Sequence, residues 1–157
     1  MKICLMTIGA THKKWAEAGE KEYSDRLRHY VQFEKIALPD IKSTKGTDQE
    51  RQKILEGEAF LQKLNPTDHV VLLDERGKEL TSRDFSRSIE TLMLRGFKRV
   101  VFLIGGPYGF SQDIYDRADG KISFSRMTFP HDLIRTIFME QLYRAFSIMR
   151  NEPYHHD

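Results

Sequence analysis

An α/β domain, a mostly parallel sheet with helices on both faces, is the fold this sequence predicts, and three observations predict it. Short apolar runs alternate with longer amphipathic segments from end to end, the signature of repeated strand–helix units. The runs are solidly apolar rather than alternating, as strands covered on both faces are. The chain has 157 residues, a length that suits one domain. With no linker, repeat or low-complexity tract, residues 1–157 read as a single unit.

Each element has its own signal. Residues 2–8 form a first apolar run, ended by Gly9. A helix is predicted over 15–30, where Trp15, Ala18, Tyr23, Leu27 and Tyr30 approximate a helical stripe. Residues 33–38 make a second strand, closed by Pro39, and the polar stretch 40–47 reads as a loop. Asp48 caps a helix that runs to about Leu64 and stops at Asn65-Pro66. Residues 69–74 form a third strand and 75–78 a turn; Thr81 or Ser82 then caps a helix ending near Gly96. A fourth strand, 99–104, runs directly into Gly105-Gly106-Pro107-Tyr108-Gly109. Ser111 caps a short helix to about Ala118, and 121–124 is a short fifth strand. His131 or Asp132 opens a long helix to about Arg150, followed by a polar tail.

Composition narrows the function classes. Twenty-five Lys and Arg against 23 Asp and Glu give a net charge of +2 and a pI of 8.6, which permits a nucleic-acid partner without demanding one. A single cysteine, Cys4, excludes an internal disulfide and a multi-thiolate zinc site. The six histidines show no metal-ligand spacing. No apolar stretch approaches the ~20 residues of a membrane span, and the start of the chain is too soon interrupted for a signal peptide. A soluble cytoplasmic protein is expected.

In a parallel sheet, ligands bind beyond the carboxyl ends of the strands. The segments that follow Gly9, Asp74, Ile104 and Phe124 are therefore the places to look. Residues 104–109 match neither a dinucleotide nor a triphosphate loop; they are either a tight turn or a place where a ligand approaches bare backbone. The segment Phe124-Ser125-Arg126-Met127-Thr128-Phe129-Pro130-His131 either plugs the core with its rings or sets an aromatic or Met against a purine. The last helix carries a wide stripe of Leu133, Ile134, Ile137, Phe138, Leu142, Ala145, Phe146 and Met149, which is core and, in its excess, suits a subunit interface. Arg83, Arg87, Arg95, Lys98 and Arg99 read as a solvated face, or as a set of phosphate holders. The tail Asn151-Glu152-Pro153-Tyr154-His155-His156-Asp157 is either frayed or functional.

Leu72-Leu73-Asp74, Ile104 to Ser111, Met127 to His131, Glu140 to Ala145 and Asn151 to His155 together resemble the RlmH family of SPOUT-class RNA methyltransferases, over essentially the whole chain. The resemblance implies a sheet whose C-terminal part forms a trefoil knot. It implies a homodimer that methylates N3 of a pseudouridine in the 23S ribosomal RNA stem-loop at the subunit interface of assembled ribosomes. S-adenosylmethionine is the implied donor. By position, Leu73, Gly105, Gly106, Phe124, Ser125, Arg126, Met127, Thr128 and Phe129 would form the donor pocket, with Pro107 shaping it. His155, Tyr154 and Arg144 would carry the catalysis. His131 is either functional or structural. His156 stands where the family commonly has a basic residue.

The chemistry needs no metal or covalent intermediate. A sulfonium methyl is already electrophilic, so the protein must align the attacking nitrogen behind it. An imide N–H attacks poorly until its proton leaves, so a base or an imidate-stabilising group helps. Two rivals remain: a non-catalytic ribosome- or RNA-binding module of the same fold, and a flavodoxin-like small-molecule enzyme.

Overall fold

The computed structural model describes residues 1–41 and 48–156. Most of the expected loop over 40–47, and the final Asp157, lie outside the described residues. The order is β1 (Lys2–Ile8), α1 (Lys14–Leu27), β2 (Gln32–Leu38), α2 (Gln49–Leu61), β3 (His69–Glu79), α3 (Ser82–Leu94), β4 (Arg99–Ile104), α4 (Gln112–Arg117), β5 (Gly120–Ser123) and α5 (His131–Met149). The strands form one sheet in the order β2-β1-β4-β3-β5, and every pairing is parallel.

Alternate residues of the solid apolar strands feed two cores. Ile3, Leu5, Val100 and Phe102 pack with α1, α3 and α5, while Cys4, Met6, Val101 and Leu103 pack with α2 and α4. Cys4 is fully buried, and burial pushes its thiol up to about 11, so it serves as a small core side chain. Phe138 of α5 lies 4.9 Å from Phe102 of β4, centroid to centroid. Ser86 of α3 donates to the Ala145 carbonyl of α5 at 2.8 Å, and Gly19 lets α1 approach Thr136 of α5. Contacted by α1, α3 and the sheet, α5 needs a wide apolar stripe for its own fold. That stripe therefore does not by itself mark a subunit interface.

Several elements differ from the sequence expectation, each for a local reason. Helix α1 ends at Leu27 rather than Tyr30 and buries Ala16, Glu20 and Leu27; Trp15 is 54% exposed and Ala18 is exposed. A buried ion pair between Glu20 and Lys35 of β2 sets that face, which an apolar stripe could not reveal. Helix α2 ends at Leu61 rather than Leu64. Residues 75–78, expected as a turn, lie inside β3. There the pairing with β5 slips, so that both Leu73 and Lys78 face Ile122, and Gly77 sits where any Cβ would strike the Ile122 backbone. Strand β5 runs one residue earlier than expected. Thr81 caps α3, accepting from the Asp84 amide at 3.1 Å. Helix α5, by contrast, opens at His131 as expected, with Pro130 in the N-cap position. Arg99 does not belong to a solvated face: it is half-buried and pairs with Asp68 at 3.0 Å and Glu34 at 3.5 Å.

Candidate active site

The carboxyl ends of β3, β4 and β5 open into a cleft of about 420 Å³, within the range of small-molecule sites. Strand β4 enters it at Gly105. Gly109 then donates its amide to the Gly106 carbonyl at 3.1 Å, closing a four-residue turn with Pro107 in the second position, where its fixed φ fits. Gly109 has φ +83°, a conformation that suits glycine. A Cβ on Gly105 would sit 3.2 Å from both the Gly109 carbonyl oxygen and a Phe110 ring carbon. Both readings of this segment hold together: it is a tight turn, and its backbone lines the cleft. The lack of a side chain at Gly105, however, serves the packing of the turn itself.

The loop after β5 forms the facing wall. Ser123 donates to the Ser125 carbonyl at 2.9 Å, and the Ser125 hydroxyl accepts from the Met127 amide at 2.9 Å, a local side-chain turn. Leu73, Gly105, Gly106, Phe124, Ser125, Met127, Thr128 and Phe129 all border the cleft. Phe124 also plugs the core, packed edge-on to Phe85 at 5.8 Å. Met127 is 75% exposed at the rim. Arg126 is the exception: it points to solvent and lies 3.5 Å from Glu79, outside the lining.

Sequence reasoning missed two other cleft groups, Tyr115 and Lys53, and gave Asp74 and His131 no settled role. Asp74, where the β3–β5 pairing slips, is held by the Arg76 amide at 2.7 Å and by a short hydrogen bond from Tyr115. Burial, then Asp74, pushes the Tyr115 phenol up to about 12, so it stays a donor. Lys53 reaches the cleft from α2. His131, at the start of α5, also borders it; burial first, then the Arg135 charge, lowers its pKa. Arg135 is itself buried and donates to the Ile8 carbonyl at 2.6 Å, so it fixes the start of α5 to the end of β1. Tyr115 and Lys53 sit in segments whose pattern reads as an ordinary polar surface; no sequence signal marks them.

His155, Tyr154 and Arg144 come together, but elsewhere. Asn151 has φ +54°; its amide donates to Ile148 and the Glu152 amide to Ser147, at 3.1 and 2.9 Å. That is a Schellman stop, and it folds the tail back along α5. Tyr30 then grips the Glu152 carboxylate with a short hydrogen bond. The Tyr154 ring meets Tyr143 edge-on at 4.7 Å and carries the Arg144 guanidinium 4.7 Å above it. Its hydroxyl donates to Glu140 at 3.1 Å, and burial holds its pKa well above the usual phenol range. Arg144 donates to Glu140 from Nε at 3.0 Å, and its Nη1 lies 3.4 Å from His155 Nδ1. The tail is thus anchored rather than frayed. Arg144 stands thirteen positions beyond His131 on α5, roughly 20 Å along a helix rising 1.5 Å per residue.

Comparison with known proteins gives a consistent set. A family profile described as a predicted SPOUT methyltransferase matches residues 1–155. A protein of Christiangramia forsetii named ribosomal RNA large subunit methyltransferase H is 55% identical over 156 residues, covering 99% of each chain. One of the same name from Parabacteroides distasonis is 51% identical over 157 residues, covering 100% of each. Among solved structures, a "probable methylase family protein" from Haemophilus influenzae superposes over 99% of this chain and 70% of its own, with a TM-score of 0.54 at 10% identity. That last likeness speaks for the fold alone.

Proposed function

Because this chain belongs to the SPOUT methyltransferase family, we propose that it holds S-adenosylmethionine in the cleft of one subunit and meets the target nucleotide with the tail of a second. It is an enzyme that methylates large-subunit ribosomal RNA, like the full-length relatives so named. We take the substrate atom to be N3 of a pseudouridine in the 23S stem-loop at the ribosomal subunit interface. The ribosome then places the protein in the cytoplasm; no helix among the described residues is long and apolar enough to cross a membrane. Residues 1–157 make one such domain in this reading, and its C-terminal part carries the family's trefoil knot.

The cleft fits the donor chemically. Leu73, Ile122, Phe124 and Phe129 offer apolar wall for an adenine, and Asp74 and Glu75 offer carboxylates to ribose hydroxyls or to the cationic end of a methionine. Backbone groups of the 105–109 turn can read the purine edge.

The observation that carries the two-subunit arrangement is the position of the catalytic side chains. Helix α5 lines the cleft with His131 and holds Arg144 about 20 Å away. One rigid helix cannot bring its two ends together, so the site is completed by a partner's tail in a homodimer.

The tail geometry also refines the role of His155. A guanidinium has only donors, so the Nδ1 facing Arg144 is an acceptor. The tautomer with its proton on Nε2 is the one this contact favours. When the N3 proton leaves to solvent water, negative charge spreads onto the flanking carbonyl oxygens of the base. An Nε2–H directed at one of them stabilises that imidate, and Arg144 keeps the tautomer and adds positive potential. Tyr154, edge-on to Tyr143 and beneath the Arg144 guanidinium, holds both in place.

His131 supports a second reading, because it borders the cleft as a neutral imidazole and could itself take the proton. Purified protein, ribosomes and labelled donor, followed by nucleoside mass spectrometry, decide the main proposal: one methyl group on a single 23S pseudouridine is expected. Ribosome binding without turnover would make this chain a binding module. Mixing Gly105→Val with a chain truncated after Glu152 tests the shared site, since heterodimers should recover activity that neither parent has. No recovery would confine the site to one chain and favour His131.

A further inference from the structure

We propose that Glu56 is a positioning residue for donor binding: from α2 its carboxyl group braces the Gly106 end of the cleft turn, while Gly57 beside it lets Ser111 close against the same helix. The inference rests on reading the cleft as the donor site. Helix α2 buries Gln52, Glu56, Gly57 and Phe60, so three of its four buried positions are polar or bare where an ordinary amphipathic helix would place aliphatic side chains. Glu56 is only 2% exposed. Gln52 donates to its Oε1 at 3.0 Å, and Oε2 has no hydrogen-bond partner. Among the described residues no lysine or arginine pairs with it.

A buried carboxyl so weakly compensated is costly, and its location indicates what it is for. The carboxyl lies where a Cβ on Gly106 would be, well inside van der Waals contact. A Cβ on Gly57 would likewise run into the Ser111 hydroxyl. Two consecutive residues of one helix thus meet both ends of the segment from Gly106 to Ser111, and the same helix sends Lys53 into the cleft one turn earlier. A glycine within a helix weakens it, which the close seat of Ser111 explains. Burial raises the Glu56 pKa, against the opposing pull of Gln52, and Asp40 raises it further. Glu56 does not border the cleft, so it acts through the turn.

Three variants test this: Glu56→Gln, which keeps the shape and an acceptor oxygen, Glu56→Ala, which removes the brace, and Glu56→Asp, which withdraws it by one methylene. Donor affinity is read by calorimetry, and amide hydrogen exchange of residues 105–110 is read without donor. Glu56→Gln should keep donor Kd within about 3-fold of the parent. Glu56→Ala should speed exchange in the turn and weaken donor binding on the order of 10-fold, with kcat at saturating donor changed by less than about 3-fold. If Glu56→Ala fails to fold, Glu56→Asp must show the same split. Parental exchange and parental Kd in whichever of these two folds would overturn the proposal, as would a Glu56→Gln variant as impaired as Glu56→Ala. A parent that binds no donor would instead sink the reading of the cleft, and the exchange arm would still decide the role of Glu56.

Discussion

The cleft and the tail are built on opposite plans. The cleft is made by segments whose hydrogen bonds close on themselves: the 106–109 turn, the Ser123–Ser125 turn and the Asp74–Tyr115 pair. What they leave facing inward is space, backbone edge and apolar wall. The tail is made by side chains already joined to one another, with Glu140, Arg144, Tyr154 and His155 in one connected group. Its ring and charged groups are part-buried against one another rather than around an open space. In the proposed reading one region receives a ligand and the other presents a group. Because α5 serves both, with one end in each, a single chain cannot superimpose them.

The sharpest way to break this contrast is to delete the residues after Glu152. If the tail only presents catalytic groups, ribosome methylation should disappear while donor Kd stays within about 2-fold and the proposed dimer persists. Unchanged turnover would make the tail dispensable, and lost donor binding would move it into the cleft. Next in size is Gly105→Val. A branched side chain there meets the Gly109 carbonyl and Phe110 at 3.2 Å and must deform the turn, so donor affinity should fall by roughly 100-fold. Overpacking of this kind costs about 1–3 kcal/mol of stability, enough to lower the melting temperature without unfolding the chain. Calorimetry showing parental donor affinity in the folded variant would remove the turn from the site.

The contrast also explains what could be read from the sequence. Among the described residues, all five strands and all five helices were legible, because apolar runs and helical periodicity report burial directly. So was the 105–109 segment, since a strand that ends in glycines at a sheet's carboxyl edge is a local pattern. The stripe on α1 was legible only in part: Tyr23, Leu27 and Tyr30 pack on the core, but Trp15 and Ala18 do not, because the Glu20–Lys35 pair turns the first half of the helix and pairwise contacts across 15 positions leave no period. Continuation of β3 through 75–78 was hidden for a similar reason: Gly77 signals a turn locally, and only the Ile122 backbone makes it a bulge. Cleft residues on α2 and α4 read as solvated helix. The separation of His155 from the cleft needed the fold itself, since it depends on where α5 begins and ends.

A smaller effect is expected at the tail from conservative change. Arg144→Lys keeps the charge but loses the planar fork that spans Glu140 and His155. Without the guanidinium donor, His155 is free to place its proton on Nδ1. Turnover should fall by about 10²-fold, as when an oriented hydrogen-bond donor is lost from an anion site, with donor Kd unchanged. His155→Ala should fall by as much. The double variant should be little worse than either alone, because the two act as one unit. Additive losses in the cycle would show that Arg144 works on the RNA independently of His155.

The smallest effect belongs to the cleft end of α5 and concerns stability. Burial, reinforced by Arg135, lowers the His131 pKa in the folded protein. Below the unfolded value of about 6.5, the unfolded chain therefore binds a proton more readily than the folded one. The linkage relation then gives a stability that rises with pH across that interval and levels off above it. His69, also lowered chiefly by burial, adds a slope of the same sign at the other end of the sheet. Melting temperature should thus fall as pH drops from 7 to 5, and His131→Asn should flatten part of that slope. If methylation in His131→Asn keeps the parental pH profile while the stability slope flattens, His131 is a structural element of the cleft wall. If the activity profile loses an ionisation instead, the proton leaves through the cleft, and the receiving region does chemistry as well.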